Sequence, residues 1–284
     1  MNKLNLKKMI LTFTPEKHEY KSVDTLIDWL SVTTFVSHFK QPFDSVKSSI
    51  SSSKNKKSTW YGMNPESIRN IWDNEGFRAT DMGTWYHDQR EKDITDCDTI
   101  VRDGIELPVF KPLFKEGIKI APEQKLVNGI YPEHFVYLVS AGLCGQSDRV
   151  EVINDHVNIG DYKTNKKLNF NGYTNWEGVT TMMTGPLSHL EDCHIVHYGI
   201  QLSLYMYMIL KHNHNLKPGK LTIEHVIFES EGKDAHGYPL YKKDEQGNFI
   251  VKDVQVHELP YYKKEVQDMI NYVKSNRHLI KTKK

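Results

Sequence analysis

Three cysteines in 284 residues, Cys97, Cys144 and Cys193, are too few and too scattered for a disulfide framework. No CxxC pair marks a zinc site or an iron–sulfur cluster, so the three read as reduced, mostly buried thiols. No apolar run approaches membrane-spanning length, which excludes a helical membrane protein. The lysine-rich start MNKLNLKKM lacks the long apolar stretch of a secretory leader, so an intracellular, cytoplasmic chain with no membrane partner is expected. Internal repeats, a GxGxxG fingerprint and a P-loop are also missing, which leaves neither a solenoid nor a standard nucleotide fold as the starting point.

A strong net charge is lacking too, at +1, but the distribution is uneven. Residues 1–60 carry 10 lysines against 5 acids, and residues 260–284 carry 7 basic groups against 2 acids. The middle of the chain is therefore at −9. Basic ends that touch a polyanion and an acidic middle that holds cations fit this pattern; so do ends that are merely charged and solvated.

The first 60 residues read as an appendage, and 61–284 as one domain. Ser31-Val32-Thr33-Thr34 offers a cap for a short helix beginning near Phe35. KSSISSSKNKKST (47–59) is serine-rich and basic, and is expected to be a mobile loop, either a plain linker or a phosphate contact. NPESIRNIWDNEG predicts a helix capped by Asn64 with Pro65 at its first position, and MGTWYHDQREKDI a second one. His87 and Glu91, four apart, share a face of that second helix. Residues 95–115 read as irregular. Strand signals follow in IKIAPEQKLV, HFVYLVSAG and two further segments around Asn154-Asp155. Residues 165–192 form a long aperiodic stretch, and loops of that length inside a compact domain are often functional. A helix over 197–212, strands in KLTIEHVIFES and IVKDVQVHEL, and a closing amphipathic helix in YYKKEVQDMINYVKSNRHLI complete an α/β fold, a mixed central sheet flanked by helices.

The chemistry concentrates in GQSDRVEVINDHVNIGDYKTNKK (145–167). With Asn154-Asp155 as a two-residue turn, Ile153 pairs with His156, Val152 with Val157, Val150 with Ile159, and Asp148 faces Asp161. Alternation puts these valines, Ile159, both aspartates and Lys163 on one face. Like charges directly opposed are destabilising, and the escapes are a shared proton, water, or a bound cation. Carboxylate oxygens suit Mg²⁺ and Mn²⁺, and Lys163 one rung along can orient a water or neutralise charge on a phosphate. The competing reading is an exposed sheet face on which two acids and a lysine are unremarked. An aspartic-protease dyad is disfavoured, because no DTG or DSG loop is present and Lys163 would hold both acids ionised.

G-x-x-D, a thirteen-residue step and then D-Y-K-T resemble the PD-(D/E)xK nuclease superfamily in its RecB-like branch. GTWYH (83–87) is similar to that branch's upstream G-x-x-x-H motif, and QLSLY (201–205) to its downstream Q-x-x-x-Y motif. With SVTTFV the pattern is closest to exonucleases related to mitochondrial genome maintenance exonuclease and their phage counterparts, over about residues 31–210. The resemblance implies a restriction-endonuclease-like core and a nuclease domain over 61–284. It implies Asp148, Asp161, His87 and the Tyr162 backbone carbonyl as metal ligands, with Lys163 as the catalytic lysine. Gln201 and Tyr205 would line the site, and Glu123 in APEQKLV would match the acid on the strand before the hairpin, with Pro122 beside it. Mg²⁺ or Mn²⁺ is the implied cofactor, no iron–sulfur cluster is expected, and DNA, single-stranded or with free ends, is the implied partner. A bacterial or phage-infected cytoplasm is the implied setting, with an organelle as the alternative.

Several residues keep two readings. Without the motif, His87 is an ordinary surface histidine. Glu91 reads as a solvated acid rather than a partner of the site. Lys166 and Lys167 are either phosphate contacts or a plain basic loop, and Phe170, Tyr173 and Trp176 either stack on unpaired bases or pack the loop. The expected function is an exonuclease that hydrolyses DNA phosphodiesters, as in replication or repair. The rivals are an endonuclease on the same fold and a catalytically silent DNA-binding module.

Overall fold

The computed structural model describes residues 11–14, 19–22, 27–276 and 280; the lysine-rich start and the Arg277–Leu279 end of the predicted closing helix lie outside them. β1 (Leu11–Thr14) pairs antiparallel with β2 (Glu19–Ser22). β3 (Leu30–Ser31) runs directly into α1 (Val32–Ser37). The helix starts three residues before the predicted Phe35 because Ser31 is the cap, its Oγ accepting from the Thr34 N–H at 3.1 Å.

α2 (Ser45–Lys54) occupies most of the stretch predicted to be a mobile loop. Serine is a poor helix former, but Asp44 caps the start by accepting from the Lys47 N–H, and Ser49 is buried where Arg69 donates to its Oγ. Tertiary contact therefore overrides composition. α3 (Pro65–Thr95) joins the two predicted helices into one of 31 residues, starting at the expected Asn64 cap with Pro65 first. Gly76 weakens such a helix by only about 1 kcal/mol relative to alanine, and Ile68, Met82, Tyr86 and Ile94 anchor it from end to end.

The region read as irregular holds two small hairpins. β4 (Thr99–Arg102) and β5 (Ile105–Pro108) turn at Asp103-Gly104, and β6 (Leu113–Lys115) and β7 (Ile118–Ile120) at Glu116-Gly117. All four turn residues have positive φ, the type I′ requirement that an acid–glycine pair meets. β7 also pairs with β1, so β2, β1, β7 and β6 make a four-stranded sheet.

β8 (Gly129–Leu138), β9 (Leu143–Ile153) and β10 (His156–Lys163) follow, then α4 (His194–His212), β11 (Lys217–Phe228), the pair β12 (Ser230–Lys233) and β13 (Pro239–Tyr241), β14 (Val251–Leu259) and α5 (Lys263–Asn276). The main sheet runs β14-β11-β10-β9, with β10 and β11 parallel and joined through α4; β8 and β3 also pair with β9. Helices α1, α4 and α5 share a core with Val150, Val152, Val157, Ile159 and Ile223 on one face. On the other, Met82 and Tyr86 of α3 pack on Tyr162, Val226 and Phe228. This is a mixed α/β architecture of several sheets and five helices. Residues 27–40, placed by sequence in the appendage, supply β3 and α1 to it. Among the described residues no helix is long and apolar enough to cross a membrane.

Candidate metal centre

A strand has two hydrogen-bonding edges, and β9 uses them unevenly. β8 covers one edge from Leu143 to Val152. On the other, β10 pairs with Arg149–Ile153 and β3 with Leu143 and Cys144. Between them the edge of Gly145–Asp148 is open, and a cavity of about 550 Å³ sits there, lined by Gly145 and Asp148 from β9, Asp161 and Lys163 from β10, and Ser31 and Val32 at the start of α1. Where the sheet is open, α3 from one face and α4 from the other reach the same space.

The predicted hairpin register holds through Gly160–Arg149, with Asn154 and Asp155 both at positive φ. One further step sets Asp161 opposite Asp148. There the backbone ladder gives way to a side chain, Asp148 Oδ2 accepting from the Tyr162 N–H at 2.8 Å. The register on the other side, Pro132↔Arg149 and His134↔Ser147, sets Glu133 opposite Asp148 as well. Three acids thus lie in a row across three strands. Glu133 has φ 46, a left-handed conformation uncommon for a side chain of its type and often found at functional sites.

His87 of α3 closes the cluster, with Nδ1 3.3 Å from Asp148 Oδ2 and Nε2 3.1 Å from the Tyr162 carbonyl oxygen. Lys163 forms an ion pair with Asp161 and lies 4.8 Å from the centre of the Tyr198 ring. From α4, Gln201 Nε2 donates a long 3.5 Å contact to Asp161 Oδ1, and buried Tyr205 lies behind Gly145. A Cβ on Gly145 would meet Tyr205 Cε1 at 2.8 Å, so glycine is needed for the ring to sit there. Gly145→Ala is expected to lower stability by about 1–3 kcal/mol through this overpacking, measurable as a shifted denaturant midpoint.

The electrostatics follow from crowding. Burial opposes an imidazolium at His87, but the charge and hydrogen bond of Asp148 outweigh it and push the group up to about 9. Burial and the neighbouring Asp148 push Glu133 up to about 8, against the opposing pull of Lys119. Burial and Asp148 likewise push Asp161 up to about 6, with Lys163 opposing. Burial acts to raise Asp148, yet His87, Lys163 and the Tyr162 N–H hold it below the usual carboxylate range. Burial disfavours the Lys163 ammonium, but the charges of Asp161 and Asp148 offset this and keep it above the ordinary lysine value. Two protons are therefore held at neutral pH by groups that face one another.

A cation could take their place. Ligand atoms of His87, Glu133 and Asp148 all lie within 4.8 Å of one another. Asp161 Oδ2 is buried without a hydrogen bond and has only its ion pair with Lys163. Carboxylate oxygens with one imidazole form a donor set for a hard divalent ion, and the Tyr162 carbonyl points toward the same place through its contact with His87.

Other predicted residues fall elsewhere. Glu123 lies on the loop before β8 and lines a neighbouring cavity of about 490 Å³; Glu133, ten residues on, holds the position expected of it, because the strand begins only at Gly129. Lys166 and Lys167 line a third cavity rather than the cluster. Glu91 is not a solvated acid: it lines the cavity, 3.9 Å from Lys119 Nζ. Lys119 of β7, only 5% exposed, is also 3.8 Å from Glu133, and no motif or periodicity in the chain marks it. Phe170, Tyr173 and Trp176 are exposed. All three cysteines are free, Cys144 and Cys193 buried and Cys97 half-buried. Searches against protein-family models, curated proteins and solved structures return no match to this chain.

Proposed function

We propose that this chain is a divalent-metal-dependent deoxyribonuclease with a restriction-endonuclease-like core of the PD-(D/E)xK, RecB-like kind. The observation that carries the reading is the row Glu133–Asp148–Asp161, joined by His87 and flanked by Lys163, in the open edge of β9. The sequence resemblance rests on His87, Asp148, Asp161, Lys163, Gln201 and Tyr205, which are far apart in the chain, and all six line this one cavity.

Glu133, Asp148, Asp161 and His87 would hold Mg²⁺ or Mn²⁺, with the Tyr162 carbonyl as a further donor. A bound ion of this type lowers the pKa of water and offsets phosphate charge. Lys163 places an ammonium beside the acids, where it orients the attacking water and balances charge developing on the phosphate. Gln201 positions Asp161, and Tyr205 packs the wall behind Gly145. DNA with a free end or an unpaired strand is the substrate, and an exonuclease the expected mode.

End-labelled linear and covalently closed circular single-stranded DNA, each incubated with Mg²⁺, Mn²⁺ or EDTA, test this. Metal-dependent loss of linear DNA alone is expected. Nicking of circles would make the enzyme an endonuclease, and inertness of both substrates with either metal would overturn the nuclease reading.

A further inference from the structure

The floor of the metal-centre cavity is α3, through Gly83, Thr84, His87, Asp88 and Glu91. The preceding turns of the same helix, from Trp72 to Met82, floor another cavity of about 460 Å³. Its opposite wall is Thr164–Lys167, the chain that leaves β10 directly after Lys163. The two spaces are neighbours: a Cβ on Gly83 in the first would lie 3.2 Å from Thr164 Oγ1 in the second. From Glu75 to His87 the helix rises roughly 18 Å at 1.5 Å per residue, a few nucleotides of an extended strand.

This second space carries an unbalanced charge arrangement. Glu75, 13% exposed, forms ion pairs with two cations, Arg78 at 2.5 Å and Lys166, each about one-third exposed. Lys167 adds a third positive charge to the lining, in which Glu75 is the single acid. Lys166 also lies 3.8 Å from the centre of the Tyr238 ring, which holds its ammonium in place from the side. Trp72 and Tyr241 give the lining an aromatic surface. Two cations converging on one carboxylate form the geometry that receives a phosphate, since arginine and lysine bind both oxyanions in the same way. Aromatic surface beside cations is how an unpaired strand is gripped without regard to sequence.

We infer that this second cavity binds the backbone of the DNA strand a few nucleotides from the metal centre, Lys166 and Arg78 exchanging the Glu75 carboxylate for a phosphate. The strand's identity rests on the nuclease reading; the cavity's affinity for it does not require hydrolysis. Glu75 is then an internal stand-in for phosphate, competing with the strand and keeping the cations in position when it is absent.

The test is fluorescence anisotropy of the full chain in EDTA with labelled oligothymidylates of about 12 and about 3 nucleotides, the longer reaching both cavities. The double variant Lys166→Ala, Arg78→Ala is expected to weaken binding of the longer strand about 10-fold. Its log–log salt slope should flatten by about 1.4, at 0.7 per lost phosphate contact on a single strand. Glu75→Gln should do the opposite and tighten binding by about 3-fold, because the competing charge is gone. A merely structural Glu75 cannot give a gain, and thermal melts show whether each variant is folded. If the double variant does not fold, Glu75→Gln decides alone. Unchanged long-strand affinity and salt slope in the double variant, or weaker binding by Glu75→Gln, would overturn the inference. A wild-type chain that binds the strand but hydrolyses nothing with Mg²⁺ or Mn²⁺ would overturn the nuclease reading instead and leave this site standing.

Discussion

Lys163→Ala is expected to lower metal-dependent hydrolysis by about 10²–10³-fold, the loss typical of removing one preorganised charge from a developing oxyanion. Cation affinity should hold or rise in the same variant. The reason lies in what the ammonium touches: Asp161 is its ion-pair partner, and Asp161 is one of the donors proposed for the cation. Removing Lys163 removes a positive charge that repels the metal and competes for that oxygen. A positioning lysine with no part in the chemistry would behave differently, since its loss would loosen Asp161 and weaken both readouts together. End-labelled DNA hydrolysis and calorimetric Mn²⁺ titration on the same preparation separate the two cases. Unchanged turnover would take Lys163 out of the reaction.

How far the site is legible in the sequence depends on the kind of turn. Asn154-Asp155 is a two-residue connection that leaves one register, so the amino-acid order alone sets Asp148 opposite Asp161. The next connection back, Val139–Gly142, is longer and closes through Gly142 at φ 61. No dipeptide implies its register, so nothing in the chain marks Glu133, although it faces Asp148 as squarely as Asp161 does. Glu123 draws the assignment instead because it lies in a strand-like run, but that run is a loop in the fold, with only Ile118–Ile120 before it in a strand. Lys119 is invisible for a different reason. It comes from the four-stranded sheet, and which residues one sheet lends to the cavity of another is a tertiary fact.

The fold is legible where apolar periodicity is long and illegible where contacts outweigh propensity. α4 and β9–β10 carry their own buried faces and are evident in the residue pattern. α2 is a serine-rich helix held by Asp44 and Arg69, and no periodicity announces it. The β4–β5 and β6–β7 hairpins have strands of three or four residues, too short for alternation to register, although Asp103-Gly104 is a usable turn signal.

In EDTA the protein is expected to lose stability as pH rises from about 6 to about 9, and a divalent cation should reverse that loss. Asp161, Glu133 and His87 all bind their protons more tightly folded than unfolded: ordinary values of 3.8, 4.5 and 6.5 become about 6, about 8 and about 9. Across that span the folded chain carries more protons than the unfolded one, so stability falls with rising pH. The Asp161 contribution is complete below 3.8 and gone above about 6; the Glu133 contribution is complete below 4.5 and gone above about 8. That of His87 is complete below 6.5 and gone above about 9, so Glu133 and His87 govern the window. Asp148, shifted downward, acts only at lower pH. A cation needs these donors deprotonated, so its affinity rises through the same window, and binding near neutral pH releases protons. At about 100 times its Kd it adds about 2.7 kcal/mol, roughly 5–10 °C in Tm for a chain of this size. Thermal melts across the window, with EDTA, Mg²⁺ or Mn²⁺, read both effects. Asp148→Asn, which removes the central charge of the row, should abolish most of the cation-dependent gain. Melts in EDTA that stay flat with pH, and that neither cation moves at any pH, would mean that the three acids and His87 are satisfied by one another and await no ion.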